Sequence, residues 1–397
     1  MIRYNFDKIT NRKGTNCLKY DFAVERGKPA DVLPLWVADM DFPVSEEITK
    51  SLHAAVEHGI YGYSQPKDAY YNAVMNWMER NHNWKTEREW IVKTPGVVFA
   101  LGAAVKAFTD PGDAILIQNP VYYPFTNIIR DNDRRVVDNT LIYEKTAGQS
   151  GDNGYRIDFE RKLEQEHIKL FILCNPHNPV GRVWTAEELQ QLGEICLRHH
   201  VIVVSDEIHN DFVYPGYEHT VFATVDPRFA EFTVTCTAPS KTFNLAGLQI
   251  SNIFIPNEKL RKAFQTEIDK TGYDEPNALG IVACEAAYRA GEDWLDQLRA
   301  YLLKNLNFLR NFLQEKIPQI HLVEPEGTYL VWLDCSELGI TGKELDQFIV
   351  DKAGLWLDGG SMFGPSGAAF QRVNIACPRA TLQLALDKLK TAVDSLK

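Results

Sequence analysis

Short apolar runs recur along the chain, and the stretches between them are long enough for one helix each. Five runs are apolar on both faces, which is typical of strands inside a parallel sheet. They are AILIQ (114–118), KLFILC (169–174), VIVVS (201–205), FTVTCT (232–237) and ISNIFI (250–255). Two helical stretches are 96–108 and 185–200, and the second begins with a capping box of Thr185 and Glu188. This alternation predicts an α/β fold with a mostly parallel sheet and helices on both faces.

The pattern changes near residue 291. A long amphipathic stretch, EDWLDQLRAYLLKNLNFLRNFLQEK, is followed by the apolar runs GTYLVWLD (327–334) and QRVNIAC (371–377) and by a final helical segment. We therefore expect a large domain over residues 45–290 and a smaller α+β domain over residues 1–44 and 291–397. The N-terminal part contains no strong element and is expected to pack against the small domain.

The composition and charge of the chain argue against several classes of protein. With 397 residues the chain is too long for one ordinary core, and 45% hydrophobic with 24% charged residues is typical of a soluble globular protein. The net charge of −11 and the lack of a Lys/Arg cluster argue against a nucleic-acid partner. The polar first fifteen residues and the absence of a long apolar run argue against a signal peptide and a membrane segment.

Seven cysteines are scattered along the chain, and none forms a CxxC pair. An odd, dispersed set is typical of a reducing compartment, in which most cysteines serve as small core residues. We therefore expect a cytoplasmic protein.

Two ionisable residues directly follow apolar runs: Asp206 comes after VIVV-Ser205, and Lys241 comes after FTVTCTAPS. Ligands of parallel sheets bind beyond the carboxyl ends of the strands, where both residues would lie. Asp206 could instead be a helix N-cap, and Lys241 a solvated loop lysine. The apolar residues before Lys241 weaken the second alternative, and a desolvated lysine is the usual source of a nucleophilic amine.

Other polar groups follow neighbouring strands. The loop NPHNPVG (175–181) presents Asn175, His177 and Asn178, although an Asn-Pro turn alone would explain it equally well. His209 is either a satisfied, half-buried histidine or a metal ligand, but no second histidine lies at a ligand spacing and the nearby Asp211 reads as exposed. We expect no metal site.

Two further features extend this group of candidate ligand-binding residues. The helix that begins at Gly96 could bind a phosphate through its free amides, and Tyr122 or Tyr123 could stack on a planar ring. An amine, a carboxylate, an amide, an aromatic ring and a phosphate cradle at one sheet edge match pyridoxal 5′-phosphate (PLP). Lysine would bind its aldehyde, and aspartate would keep its pyridine nitrogen protonated.

NPHNPVG, SDEIH (205–209) and APSKTFNLAG (238–247), in this order, resemble the fold type I PLP enzymes of the class I/II aminotransferase superfamily. The similarity covers nearly the whole chain. Within the superfamily, LPLWVADMDFP (33–43), HGIYGYS (58–64), SDEIH and FQRVNIACPR (370–379) resemble the cystathionine β-lyase, or C–S lyase, branch. The resemblance implies a seven-stranded, mostly parallel sheet between helices, the PLP-dependent transferase fold, plus a smaller α+β domain.

The resemblance also implies a role for each matching residue. It makes Lys241 the Schiff-base lysine, Asp206 the pyridinium partner and Tyr122 the stacking ring, all three catalytic. It assigns the phosphate to Gly96, Val97, Val98 and Ser240, and the ring hydroxyl to Asn178. It places His209 against the ring oxygen, and Tyr63 reaches the phosphate bound in the partner subunit. It assigns the substrate carboxylate to Arg372, with Asn178 and Ala38 also contacting substrate.

Two departures from the aminotransferase pattern favour the lyase branch. His209 stands where many aminotransferases have a tyrosine, and Gln249 stands where many have a phosphate-binding arginine. The loop LDGGSMFG (357–364) departs from the usual Pro-Gly form of the lyase branch, so it bears on substrate choice.

The resemblance implies a homodimeric PLP-dependent C–S β-lyase of amino-acid metabolism. It would cleave L-cystathionine or related cysteine S-conjugates to a thiol such as homocysteine, pyruvate and ammonia, as in methionine biosynthesis. The chain shows no second arginine suited to clamp a side-chain carboxylate, which disfavours aspartate and glutamate as substrates. Two alternatives stay open, an aminotransferase on the same scaffold and a regulatory role through a protein partner.

Overall fold

A computed structural model describes residues 2–145, 153–157 and 166–396. Its strands are β1 (Leu33–Pro34), β2 (Ile91–Thr94), β3 (Ala114–Ile117), β4 (Arg135–Asp138), β5 (Ile142–Tyr143), β6 (Tyr155–Arg156), β7 (Ile168–Cys174), β8 (Ile202–Asp206), β9 (Thr233–Thr237), β10 (Ser251–Phe254), β11 (His321–Val323), β12 (Leu330–Asp334), β13 (Leu355–Trp356), β14 (Asp358–Gly359) and β15 (Phe370–Asn374).

The α-helices are α1 (Leu18–Asp21), α2 (Glu46–His58), α3 (Asp68–His82), α4 (Val97–Phe108), α5 (Pro124–Asp131), α6 (Ala186–Arg198), α7 (Phe222–Val225), α8 (Pro239–Thr242), α9 (Glu258–Asp269), α10 (Ala278–Ala290), α11 (Glu292–Lys316), α12 (Lys343–Asp351) and α13 (Arg379–Asp394). Within the described ranges, no helix combines the length and the apolar character that a bilayer span requires.

The main sheet has the strand order β2-β10-β9-β8-β7-β3-β4. Strands β9, β8, β7, β3 and β4 are parallel to their neighbours in this series, while β10 is antiparallel to both β2 and β9. The predicted α/β fold with a mostly parallel sheet is confirmed. The apolar run at 250–255 is a strand as predicted, but it runs against the rest of the sheet.

Alternate residues of β7 show why its sequence is apolar throughout. Leu170 and Ile172 pack in one core cluster with residues of α4, and Phe171 and Leu173 pack in a second cluster with Leu189 of α6. Both faces of the sheet are therefore covered by helices, as the continuous apolar run predicts.

The capping box that begins α6 forms as predicted. The Thr185 hydroxyl accepts a bond of 3.2 Å from the Glu188 amide, and the Glu188 carboxylate accepts one of 2.9 Å from the Thr185 amide. These bonds satisfy two amide groups that the helix itself cannot pair, so the helix begins at a defined residue.

A second, antiparallel sheet has the order β11-β12-β15-β14. Helices α11 and α13 share one core cluster with residues of β12 and β15. The long helical pattern predicted after residue 291 is confirmed, and so are the two later strands, which are shorter than their apolar runs. The domain boundaries at residues 44 and 290 stay a prediction.

The N-terminal arm packs against the C-terminal part of the chain. Strand β1 pairs with β13, and the Trp36 ring stacks on Trp356 with centroids 4.4 Å apart. Further back, Lys19 is fully buried, and its Nζ lies 3.0 Å from the Asp41 carboxylate. Arg12 contacts the same carboxylate at 2.8 Å. This buried ionic cluster fixes the segment that leads to Ala38.

The cluster yields a stability prediction. In Asp41→Asn the buried Lys19 ammonium loses its main counter-charge, so we expect the free energy of unfolding to fall by about 3 kcal/mol. Urea denaturation measures the change. The matched control is Asp68→Asn, which breaks an exposed pair with Arg88 and should change the unfolding free energy by about 0.5 kcal/mol or less. Equal effects of the two variants would contradict the importance of burial.

Candidate active site

A cavity of about 180 Å³ lies at the carboxyl ends of the central strands. Asp206 is the last residue of β8, Cys174 is the last residue of β7, and Lys241 lies in the short helix α8 that follows β9. The residues predicted from the sequence that line this cavity are Ala38, Gly96, Val97, Val98, Tyr122, Asn178, Asp206, His209, Ser240 and Lys241. Residues from widely separated parts of the chain therefore meet in one place.

Local sequence explains where Lys241 stands. Strand β9 is buried along its whole length, and Ala238 continues the chain in an extended conformation. Pro239 then occupies the first turn of α8, where its fixed φ favours a helix and its missing N–H costs nothing. The turn that follows places Lys241 at the sheet edge.

The Lys241 amine is held by one neutral acceptor. Its Nζ donates to the Ala38 carbonyl at 2.8 Å, and the Tyr329 hydroxyl donates to the same oxygen at 2.9 Å. Burial and then the nearby Arg372 charge lower the pKa of Lys241 to about 8, although Asp39 and Asp206 oppose the shift. A substantial fraction of the amine is therefore neutral near physiological pH, as a nucleophile or base requires.

Asp206 is buried, with 4% of its surface exposed. One carboxylate oxygen accepts a bond of 3.2 Å from the Ile208 amide. Burial raises the pKa of Asp206 to about 7, and the Ile208 bond and the Lys241 charge only partly oppose it. Among the described residues no cation lies within 4 Å of this carboxylate. The charged carboxylate therefore has no cationic partner. A ligand with a cationic N–H, bound in the cavity, would supply one.

Helix α4 points its N-terminus into the cavity. Gly96 is the N-cap, and its carbonyl accepts the first helical bond, from Ala100 at 3.1 Å. The amides of Val97 and Val98 precede that bond, so they have no acceptor within the helix. Together with the Ser240 side chain and the positive end of the helix dipole, they form a site suited to a phosphate.

Tyr122 and His209 complete the walls. Burial raises the pKa of the Tyr122 hydroxyl, so it stays protonated and able to donate a hydrogen bond. Burial also lowers the pKa of His209 well below its ordinary value, with Lys241 and Arg372 adding to the shift. His209 Nδ1 is buried without a hydrogen-bond partner. A neutral imidazole with a free ring nitrogen suits contact with a polar ring substituent.

Arg372 lies behind Asn178 and does not itself line the cavity. Its guanidinium donates to Asn178 Oδ1 at 3.0 Å and to the Trp36 carbonyl at 2.9 Å, and it pairs with the Asp358 carboxylate. Asp358 faces Arg372 across the β14–β15 pairing. Asp358 is a site residue that no local sequence signal identifies, although its loop departs from the usual form of the lyase branch.

Several other sequence candidates lie outside the cavity. The Asn175 side chain accepts from the Trp184 amide at 3.1 Å, and His177 is buried edge-on to the Trp184 ring. Both support the loop that presents Asn178. Gln249 is exposed, and Tyr63 is 94% exposed, so neither contacts the cavity of its own subunit.

Asp211, which we expected to be exposed, is buried. It accepts bonds from Trp77 at 3.1 Å and from Thr242 at 2.5 Å, and His82 Nε2 lies 3.0 Å away. Its partners come from distant segments, which explains why the local sequence did not reveal the burial. Because Thr242 directly follows Lys241, this network anchors the turn that carries the amine.

Comparison with known proteins agrees with this geometry. The family model for aminotransferase class I and II matches residues 30–389. The chain belongs to this family. Cystathionine beta-lyase PatB of Bacillus subtilis is 45% identical over 392 residues, covering 98% of this chain and 100% of PatB.

Two solved structures are also similar. Cystalysin from Treponema denticola, which contains pyridoxal 5′-phosphate, matches with a TM-score of 0.94 and 38% identity over 100% of both chains. The PLP-bound C-S lyase from Staphylococcus hominis matches with a TM-score of 0.91 and 34% identity, covering 99% of this chain and 98% of the lyase. The predicted fold and family resemblance are confirmed.

The residues present fit PLP. The unpaired Asp206 carboxylate would accept from the pyridine N–H, and the Val97 and Val98 amides with Ser240 would hold the phosphate. The Lys241 amine would reach the aldehyde, and Asn178 and His209 offer polar atoms to the ring oxygen. The donor set thus matches each charged or polar part of the cofactor.

The electrostatics of Lys241 can be tested in cofactor-free protein. Removing the Arg372 charge takes away a cause that lowers the Lys241 pKa, so in Arg372→Leu we expect this pKa to rise from about 8 by about one unit. Acylation rates of Lys241 against pH, followed by peptide mass spectrometry, give the midpoint. Arg80→Leu, on the exposed side of α3, should leave it unchanged. A wild-type midpoint near the ordinary lysine value would contradict the analysis.

Proposed function

We propose that this protein is a PLP-dependent carbon–sulfur β-lyase that acts on L-cystathionine or a related cysteine S-conjugate. The observation that carries this proposal is the placement of Lys241 and Asp206 in one buried cavity, with Arg372 connected to that cavity through Asn178. The names of PatB, of cystalysin and of the C-S lyase support the same reaction class. With one water, the reaction gives a thiol, pyruvate and ammonia.

Bound PLP supplies an electron-withdrawing ring next to the carbon that loses its proton. Asp206 would accept the hydrogen bond of the ring nitrogen and would thereby keep that nitrogen protonated. Tyr122 would cover the ring, and the α4 amides with Ser240 would hold the phosphate. Each contact uses a polar group that the fold already positions.

The chain's own residues then position and deprotonate the substrate. Arg372, oriented by Asn178, binds the α-carboxylate, and the Ala38 carbonyl faces the same space. Lys241 Nζ takes the α-proton, a task for which a pKa of about 8 suits it. Burial excludes bulk water, which strengthens each of these interactions.

One assay tests the reaction. With L-cystathionine and no added 2-oxo acid, we expect the wild-type enzyme to release thiol and pyruvate in equal amounts. Lys241→Ala should lose the visible absorbance of the cofactor and all measurable thiol release, because it removes both the anchoring amine and the base. If turnover requires an amino acceptor, the protein is an aminotransferase on this scaffold. Lyase activity that survives Lys241→Ala would refute the assignment.

We also propose that the enzyme works as a homodimer. Tyr63 is 94% exposed, and the neighbouring Ile60 and Tyr61 are exposed as well, at 72% and 62%. Such an apolar group at the surface is better explained by contact with a second copy than by solvent. Tyr63 would then contact the phosphate bound in the partner's cavity, as the family resemblance implies.

Mixed dimers separate this role from a structural one. Tyr63→Ala and Lys241→Ala should each be nearly inactive alone. After the two are dissociated and reassociated in equal amounts, each hybrid contains one complete site, so we expect about a quarter of the wild-type activity. The control mixes Lys241→Ala with Asp206→Asn. Each substitution inactivates the site of the subunit that carries it, so the hybrid contains no complete site and activity should not return. Failure of the first mixture to gain activity would contradict the shared site.

All seven cysteines are unpaired. We propose on this basis that the protein works in the cytoplasm, where thiols stay reduced. Neither the site nor the comparisons support a regulatory protein partner.

A further inference from the structure

A second cavity, of about 230 Å³, adjoins the residues that hold Arg372. Its walls include Trp36 and Asp358. The Trp36 carbonyl and the Asp358 carboxylate both accept hydrogen bonds from Arg372. A substrate bound by Arg372 would therefore border this second cavity. We call it the distal cavity.

Two cations line the distal cavity without a carboxylate partner. Arg26 and Lys28 belong to the N-terminal arm, and their side chains form no ion pair or hydrogen bond among the described residues. The Arg26 guanidinium lies 5.3 Å from the centre of the Trp36 ring. By contrast, Arg12 of the same arm contacts two carboxylates. Arg26 and Lys28 thus remain available for an anionic group, although the sequence pattern alone does not point to a second arginine for this task.

The distal cavity also contains negatively charged side chains. Asp346 also lines the distal cavity, where it is half-buried and accepts a bond of 2.7 Å from Gln371. Asp358 is a second, buried carboxylate of the wall, and its charge is paired with that of Arg372. The Trp36–Trp356 stack supplies apolar surface between the charged groups. A matching ligand therefore has an apolar chain that ends in both a positive and a negative group.

Tyr123 packs beside the active-site cavity. Its ring lies 5.4 Å from that of Tyr122, which lines the active-site cavity. Burial raises the pKa of Tyr123, and the charges of Asp358, Arg372 and Arg26 also act on its hydroxyl. The charge of Arg26 thus acts on a tyrosine that packs against the active-site ring of Tyr122.

We propose that the distal cavity binds the ammonium and carboxylate at the far end of a cysteine S-conjugate. Arg26 and Lys28 bind the distal carboxylate, and Asp346 attracts the distal ammonium, while Asp358 stays paired with Arg372. The enzyme thereby prefers zwitterionic thioethers such as L-cystathionine over simple S-alkyl cysteines. This inference rests on the proposed lyase function.

A substrate series tests the inference on the holoenzyme. L-cystathionine carries both distal groups, S-(3-aminopropyl)-L-cysteine lacks the distal carboxylate, and S-ethyl-L-cysteine lacks both. We expect kcat/KM for thiol release to fall about tenfold when the distal carboxylate is removed, because a charge-assisted contact is lost.

The double variant Arg26→Gln/Lys28→Gln shows whether these cations cause the preference. The ratio of kcat/KM between L-cystathionine and S-(3-aminopropyl)-L-cysteine should fall towards one, because both substrates then lack the same contact. Arg80→Gln, an exposed cation on α3, should keep the wild-type ratio. The thermal midpoint of each variant confirms folding.

The outcomes are distinct. Thiol release from none of the three compounds would refute the lyase function itself. Release from all three with equal kcat/KM in the wild-type enzyme would refute the distal site while leaving the lyase function intact. A wild-type preference that persists in Arg26→Gln/Lys28→Gln would also overturn the assignment of the distal carboxylate to these cations.

Discussion

The buried carboxylate of Asp206 is the constraint on which the rest of the site depends. Its pKa of about 7, against an ordinary value of 3.8, corresponds to roughly 4 kcal/mol of unfavourable burial for the charged form. A fold tolerates such a group when a ligand supplies the missing cationic donor. Lys241 shows the same effect with opposite sign, since burial favours its neutral amine. The two shifts together prepare one cavity for a ring with a basic nitrogen and an electrophilic aldehyde.

The N-terminal arm has an unexpected share in this arrangement. Lys19 and Arg12 hold the segment before Asp41, and the Asn244 side chain accepts from the Met40 amide at 3.0 Å. These contacts fix the Ala38 carbonyl, which accepts from Lys241. A weakly structured arm therefore controls the environment of the reactive amine, and in our proposal it also recognises the far end of the substrate.

The sequence predicted the parts of the fold that local burial determines. Strands buried on both faces leave continuous apolar runs, so β7, β8 and β9 could be recognised, and charged residues at their ends stood out. The direction of β10 could not be predicted, because an apolar run has the same composition in either orientation. The burial of Asp211 and the Asp358–Arg372 pair depend on partners from distant segments, and single-sequence patterns do not report those contacts. The residue types at one sheet edge indicate the cofactor, whereas the substrate roles and the branch of the family come from the resemblance.

The claim that Asp206 keeps the ring nitrogen protonated can be measured directly. The enzyme would be reconstituted with PLP that carries ¹⁵N in its ring, and the nitrogen chemical shift would be recorded by NMR at pH 8 for wild type and Asp206→Asn. We predict the shift of a protonated pyridine in the wild type and that of a neutral pyridine in the variant. A neutral nitrogen in the wild type, or a protonated one in both proteins, would contradict this account.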